Sequence, residues 1–391
     1  MSRFLRYLML GSTAVVLLIL AWPQLFGLQN TWVVAHVVAL RGLFGAGAVA
    51  LCLILIGLAL IRPLRRLALP LAILVLLFGA GNAAVLVARG LGNPADAAAS
   101  ATGTSSPAAG LATTGSSAGT SDGTSAGTSS GSSAGSSAGS SEGTASESPG
   151  AVTVLSWNTL GDAPGAGEIA RLALADGADV VTLPETTEET GVAVAELMRA
   201  AGRPMWVHTV AFDLVSKARS TTLLISPDLG DYELASASGS GPPGNTNVLP
   251  TVVAKPVDGT GPTIIAVHAV APINWEMSNW RSDLDWLALQ CSAGDVIMAG
   301  DFNSTVDHMS GRAASAGAVL GGCADAALAR GSGGVGTWPT FLPALLGSPI
   351  DHVLATPNWR VLSMTVLESE DAAGSDHRPI LATLVPAAFA G

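Results

Sequence analysis

Acidic residues are absent from positions 1–92, basic ones are scarce after 150, and cysteine occurs three times in 391 residues. Each shortage excludes something. From 151 onward 11 Lys/Arg face 25 Asp/Glu, a balance near −14. A long nucleic acid would meet like charge there, because affinity for a phosphate backbone rests on Lys and Arg that neutralise it. The balance fits a small or lipid-linked phosphorylated substrate approached through a bound cation. Cys52, Cys291 and Cys323 are too few and too scattered for a zinc cluster of short ligand spacing. Cys52 lies in an apolar run and packs there; Cys291 and Cys323 allow a disulfide without requiring one. Large apolar residues are nearly missing from 93–150, which repeat Ser-Ser-Ala-Gly and Gly-Thr-Ser units. Such a segment cannot bury enough surface to offset its chain entropy. It reads as a disordered Gly/Ser/Ala/Thr linker with a root-mean-square span on the order of 40 Å. On it, a catalytic domain could roam the membrane surface without leaving it; a plain wall-crossing spacer fits equally well.

What the first 92 residues do have is length without polarity. Apolar stretches near 8–28, 43–61 and 67–88 each match the ~20 helical residues that cross a bilayer core of about 30 Å. A cleaved signal peptide competes for the first, but Trp22-Pro23 stands where small residues belong, and two more apolar runs follow. Residues 31–40 are apolar too, so the second helix can start early and carry Arg41 near its outer end. Arg3 and Arg6 precede the first span, and Arg62, Arg65 and Arg66 join the second to the third. Gln29-Asn30-Thr31, between the first two, is uncharged. The positive-inside rule then keeps the N-terminus in the cytoplasm and, after three crossings, delivers everything past Arg89 to the outside. Arg89 dissents mildly. The expected organisation is a multi-pass anchor in the cytoplasmic membrane over 1–92, a linker over 93–150, and an extracytoplasmic domain over 151–391. The lipid bilayer is its first partner.

In that last part, strands are expected at 152–157, 179–183, 221–226, 248–256, 263–268, 295–299, 350–355, 361–367 and 380–385. Helices are expected at 168–175, 187–201, 277–290 and 324–330. Strands followed directly by strands, mixed with strand-helix-strand units, predict an α/β sandwich rather than a uniformly wound parallel sheet. Polar residues recur where the strands end: Asn158, Glu185, His268, the run Gly300-Asp301-Phe302-Asn303, Asp351-His352, and Ser375-Asp376-His377. A rigid scaffold converges distant side chains on one pocket at such ends. Carboxylates with a carboxamide are hard oxygen ligands suited to Mg²⁺ or Mn²⁺. A histidine backed by a carboxylate orients water or stabilises a phosphoryl oxygen.

In their order, Asn158, Glu185, His268, the Gly-Asp-Phe-Asn box and the Ser-Asp-His box resemble the endonuclease/exonuclease/phosphatase superfamily, the deoxyribonuclease I-like fold. The resemblance covers nearly all of 151–391. It implies a four-layer α/β/β/α sandwich with the site at one edge, here preceded by three transmembrane helices and the linker. It implies a metal held by Glu185 beside Asn158, with Asp376 as a second acidic residue near it. Asp301 and Asn303 match the pair that positions the attacking water and the phosphate. His268 matches a phosphate-contacting histidine, and His377 the catalytic histidine oriented by Asp351. Thr337-Trp338 resembles a less specific element before the last boxes. The anchor, outward domain and boxes together are similar to a membrane-bound actinobacterial branch associated with teicoplanin-type resistance, which implies a cell-envelope substrate such as a lipid-linked phosphate or pyrophosphate.

Other polar residues have two readings. His352 is either a packed core histidine or part of the site. Asp307-His308 follows the Gly-Asp-Phe-Asn box closely enough for a second metal site, yet a solvated helix start is the plainer reading. His36 and His208 are structural. Trp286 is expected in the core, whereas Trp275 and Trp280 can also face substrate or lipid headgroups. Three functions fit: a metal-dependent envelope phosphoesterase, a tethered extracellular nuclease, or an inactive binding domain on a stalk. A nuclease needs basic residues around the cleft, and only Lys217, Arg219, Arg281 and Arg378 lie near the boxes.

Overall fold

Helical periodicity and strand alternation resolve into the elements of a computed structural model that describes residues 3–92, 150–213, 215–236, 240–292 and 294–387. The linker expected over 93–150 therefore lies, Gly150 apart, outside the described residues. Among the described residues, three helices are long and apolar enough to cross a membrane: α1 (Arg3–Ala21), α3 (Arg41–Ala59) and α4 (Arg65–Arg89). The first ends earlier than expected, because the proline ring of Pro23 cannot continue a helix and starts a short 3₁₀ turn instead. Residues before the second span do not extend it. They form a separate helix, α2 (Trp32–Ala39), broken from α3 at Leu40, whose φ of −107° and ψ of 45° are not helical.

The rest of the chain builds two six-stranded sheets. The first runs β11 (Trp359–Val366), β12 (Ile380–Pro386), β1 (Val152–Ser156), β2 (Val180–Pro184), β4 (Ser220–Ile225), β3 (Trp206–Ala211). The second runs β5 (Tyr232–Leu234), β6 (Val252–Pro256), β7 (Thr263–His268), β8 (Val296–Asp301), β10 (Asp351–Ala355), β9 (Ala324–Asp325). Among these strands, only β1–β2 and β7–β8 pair in parallel. The expected strands all form; the edge strands β3 and β5 and the two-residue β9 were not anticipated. Edge strands are half-solvated, and the hydrophobic alternation that marks a strand is weakest there.

Alternation along each strand divides the core into three layers. Val152, Val154 and Val180 of the first sheet meet Ala254, Ala266, Ala299 and Val353 of the second between the sheets. The opposite faces are covered by helices. Leu155, Val181 and Leu183 pack on α5 (Gly165–Ala175) and α6 (Glu188–Ala200). Ile265, Met298 and Leu354 pack on α7 (Met277–Gln290). The result is the four-layer α/β/β/α sandwich. The expected helix at 324–330 is shorter, α9 (Ala326–Arg330), since its first two residues are β9 and Asp325 caps it through the Leu328 amide. Cys291 and Cys323 form a disulfide across the α7 layer.

The part of the chain after 150 contacts the N-terminal helices directly. The amides of Gly333 and Gly334 donate to the carbonyls of Arg89 and Gly90 at 3.0 and 2.8 Å, and Ala35 of α2 packs among the α7 core residues.

Candidate active site

Strand register alone assembles half the site. His268 lies beside Asp301 across β7–β8, and Asp301 beside Asp351 across β8–β10. These three share a face with Ala266, Ala299 and Val353 two residues away, so they continue the apolar layer between the sheets as a polar rim. His352, one residue on, points to the opposite face. There its Nδ1 meets Asp325 Oδ2 at 2.6 Å and its Nε2 meets the Ser304 carbonyl at 2.9 Å, beneath the edge of Phe302. It is a core histidine, paired and outside the site.

The first sheet supplies Asn158 and Glu185. Glu185 follows Leu183, which faces the helices, and simple alternation would send it the same way. Its φ of +59° turns it instead. Positive φ is uncommon for a residue with a Cβ and clusters at functional sites; the other such residues, Leu160, Asp162 and Asn303, all lie on loops that leave site residues. Gly300, at φ 148°, has no alternative: a Cβ would lie 2.0 Å from the Val267 carbonyl oxygen. That explains the glycine of the Gly-Asp-Phe-Asn box.

A chain of polar contacts crosses from one sheet to the other. Asn158 Nδ2 donates to Glu185 Oε1 at 3.2 Å and to Asp301 Oδ2 at 3.1 Å. Asn303 donates its amide to Asp301 Oδ1 at 2.7 Å and its Nδ2 to Asp301 Oδ2 at 3.1 Å and to the Ala269 carbonyl. His377 Nε2 stands 3.9 Å from Asp301 Oδ2, and its Nδ1 meets Asp351 Oδ2 at 2.9 Å. His268 Nε2 lies 3.8 Å from Glu185 Oε1, with its Nδ1 buried and unpartnered. The residues that sequence reading proposed therefore converge, Asp376 at the margin: its Oδ2 accepts from Trp338 Nε1 at 2.9 Å, and its charge reaches Glu185.

Supporting residues were less legible. Ser375 Oγ donates to the Asn158 carbonyl at 2.6 Å and accepts from the His377 amide at 3.1 Å. Buried Trp157 donates to the His377 carbonyl at 2.9 Å. Thr337 Oγ1 accepts from the amides of Ile350 and Asp351, both at 3.1 Å, so the Thr-Trp element holds Asp351 with one residue and Asp376 with the next. Ser375 was signalled only by lying within the Ser-Asp-His box, and Trp157 only by preceding Asn158.

The electrostatics separate the groups by role. Burial raises the Glu185 carboxyl and pushes Asp301 up to about 7, the latter opposed by His377 and reinforced by Asp351. Burial also disfavours a charged His377, but the carboxylates of Asp351 and Asp301 outweigh it and raise the imidazolium to about 10. His268, 3.8 Å from Glu185 Oε1, has no carboxylate at hydrogen-bond distance; burial, then the charge on His377, holds it down to about 3. One histidine is thus an acid and the other neutral. Asp301, Asp351 and His377 are also close enough to hold a metal ion. However, Asp351 already occupies His377 Nδ1, which favours Glu185, on the more open side, for a cation. Four carboxylates around one imidazolium, with two of them raised by burial, are what a divalent cation relieves, and their oxygen donors suit Mg²⁺ or Mn²⁺.

One expectation from sequence changes, and the two tryptophan readings separate. Asp307 is neither a metal site nor a solvated helix start: it is buried and paired with Arg41 and Arg89. Trp280 is a buried donor to Ser304 Oγ at 2.8 Å, whereas Trp275 is 79% exposed. The four basic residues near the boxes are all engaged. Lys217 pairs with Asp162, Arg219 with Asp213, Arg281 with the Asn30 carbonyl, and buried Arg378 with Asp371 and four carbonyls.

No curated protein matches the chain significantly. Among solved structures, an endonuclease/exonuclease/phosphatase from Beutenbergia cavernae DSM 12333 is similar at 20% identity and TM-score 0.45, over 61% of this chain and 72% of that one. A humanized D. rerio TDP2 with 14 mutations is similar at 18% identity and TM-score 0.44, over 60% and 98%. The mannosyl-6-phosphatase of Bacteroides thetaiotaomicron VPI-5482 is similar at 17% identity and TM-score 0.43, over 60% and 99%. The sequence model of the Endonuclease/Exonuclease/phosphatase family matches residues 155–377, more than half of the chain and every residue of the site, and the chain belongs to that family.

Proposed function

We propose that this chain is a membrane-anchored, metal-dependent phosphoesterase that hydrolyses a phosphate ester or pyrophosphate bond of a lipid-linked cell-envelope precursor at the outer face of the cytoplasmic membrane. The observation that carries the reading is the continuous contact from Glu185 through Asn158 and Asp301 to His377 and Asp351. Hydrolysis of phosphate esters is the family's chemistry, and the rim holds a base, an acid and a cation site within reach of one phosphoryl group. Two features support the location. Arg6, Arg65 and Arg66 gather at one end of the helices, and the catalytic domain packs on the other. The engaged basic residues and the acidic domain fit a small anionic headgroup better than long nucleic acid.

Glu185, with Asn158 and Asp376 beside it, would hold the divalent cation, which supplies charge neutralisation at a phosphoryl oxygen when bound. Asp301 takes the proton of the attacking water. Its raised carboxyl is poised to do so near neutral pH. Asn303 and Asn158 fix both of its oxygens, and Asn303 keeps its φ of +46° to do this. His377 presents its Nε2 proton to the phosphoryl group while Asp351 holds Nδ1 and so selects the ring's orientation. Neutral His268 contacts phosphate as a hydrogen-bond partner without adding charge.

The test is the full chain in vesicles, given undecaprenyl pyrophosphate and plasmid DNA side by side with Mg²⁺. Phosphate release with intact plasmid is expected. Plasmid nicking without phosphate release would establish the nuclease instead.

A further inference from the structure

A cluster of buried charges lies outside the site. Arg41 is 2% exposed, and its Nε and Nη2 reach Asp307 Oδ2 and Oδ1 at 2.7 and 2.9 Å. Arg89 Nη2 reaches Asp307 Oδ1 at 2.7 Å. The remaining amine of Arg41 donates to the Ala21 carbonyl at 3.0 Å and to buried Asn82 at 2.9 Å. One arginine thus ties the ends of α1, α3 and α4 to α8 (Val306–Met309), which begins three residues after Asn303. His308 adds a second tie. Its Nδ1 accepts from the Thr305 amide, so its Nε2 donates to the Ala35 carbonyl at 3.0 Å. Backbones also close tightly here: a Cβ on Gly42 would lie 1.9 Å from the Leu345 carbonyl oxygen. A buried ion pair contributes little net stability but strongly penalises separation, since each partner would be left buried and unpaired.

Two loops run from the site toward this junction. The first leaves His268, carries Trp275 at 79% exposed, and enters α7, whose Arg281 holds the Asn30 carbonyl between α1 and α2. The second carries Phe341 at 81% exposed; Thr340 before it holds the Asp376 carbonyl, and Leu345 after it meets Gly42. Large aromatics in this setting, beside helix ends, match the side chains that settle at a headgroup boundary.

We propose that Asp307 is a docking post, closed on by Arg41 and Arg89, that fixes the catalytic domain in one orientation on the helices and seats Trp275 and Phe341 against the lipid surface. Substrate then reaches the rim from the headgroup layer rather than from solution. The inference rests on the proposal that α1, α3 and α4 cross a bilayer.

The experiment uses the full chain in phosphatidylcholine–phosphatidylglycerol vesicles with an environment-sensitive fluorophore on single cysteines, Trp275→Cys, Phe341→Cys and, as control, Val257→Cys. Val257 is exposed on the turn between β6 and β7, at the far end of the sheet from His268. Cys52 is buried, and Cys291 and Cys323 are bonded, so the new thiol takes the label. The first two labels should emit at short wavelength and lose most of their signal to lipids carrying a headgroup-level nitroxide; the control should not. Asp307→Arg, and Gly42→Val, which leaves every charge in place, should both return the first two labels to water-like emission with unchanged circular dichroism. Unquenched labels in the parent chain overturn the lipid contact. Labels that stay quenched in folded Gly42→Val protein overturn the docking post. Neither readout uses catalysis, so a wrong substrate would leave both results standing.

Discussion

His377 and Asp351 make one sharp prediction. The Nδ1–Oδ2 contact of 2.9 Å, buried and supported by Thr337, makes the pair act as one device. Replacing His377 with Ala removes the proposed proton donor and should lower kcat by about 10²–10⁴-fold, the usual worth of a single acid–base residue. KM should move little, because the group acts mainly in the transition state. Asp351→Asn leaves an acceptor but removes the charge; it should cost less than His377→Ala, about 10–100-fold, the range for partners that orient a metal-ligating histidine. If the two acted independently, the double variant would fall by the product, on the order of 10³–10⁶-fold. As one device, it should fall no further than His377→Ala, since an absent ring has no orientation to lose. The assay is hydrolysis of a chromogenic phosphodiester by the full chain in detergent micelles, with all three variants matched for folding by circular dichroism. A double variant slower than His377→Ala by the full Asp351→Asn factor would refute the pairing.

Chelation should abolish activity and Mg²⁺ or Mn²⁺ should restore it; Glu185→Gln should be inactive, with a thermal midpoint equal to or above the parent's, because burial already disfavours the Glu185 charge. Full activity in excess chelator would count against a cation at this position. The pH profile of kcat/KM should rise through about 7, as Asp301 loses its proton, and fall through about 10, as His377 loses its own. Asp351 favours the proton on both groups, so Asp351→Asn should move both limbs to lower pH; limbs that stay in place would show that Asp351 does not act on the pair. His352→Ala should cost about 3–5 kcal/mol of stability in urea titrations by stranding buried Asp325, while kcat per folded molecule stays at the parent value. A large kcat loss at full stability would return His352 to the site.

Sequence alone determined the parts that depend on local composition. Three apolar runs become helices wherever they lie, and Pro23 ends the first, because hydropathy and ring geometry act over neighbouring residues. The polar boxes were visible because each interrupts an apolar run at a strand end, and their order carried the family. Register was not visible. Whether Asp351 or His352 enters the site depends on which face of β10 meets the other sheet, and one residue of slip would exchange them. Glu185 reaches the site through a backbone turn that alternation argues against. Asp307 illustrates the limit most plainly. As a polar residue opening a short helix after a loop, it reads as solvated, and its partners stand 266 and 218 positions earlier in the chain. No local pattern marks a charge whose burial is compensated from another domain; only the packing of α8 on the ends of α3 and α4 decides it, because an ion pair is recognised by distance in space.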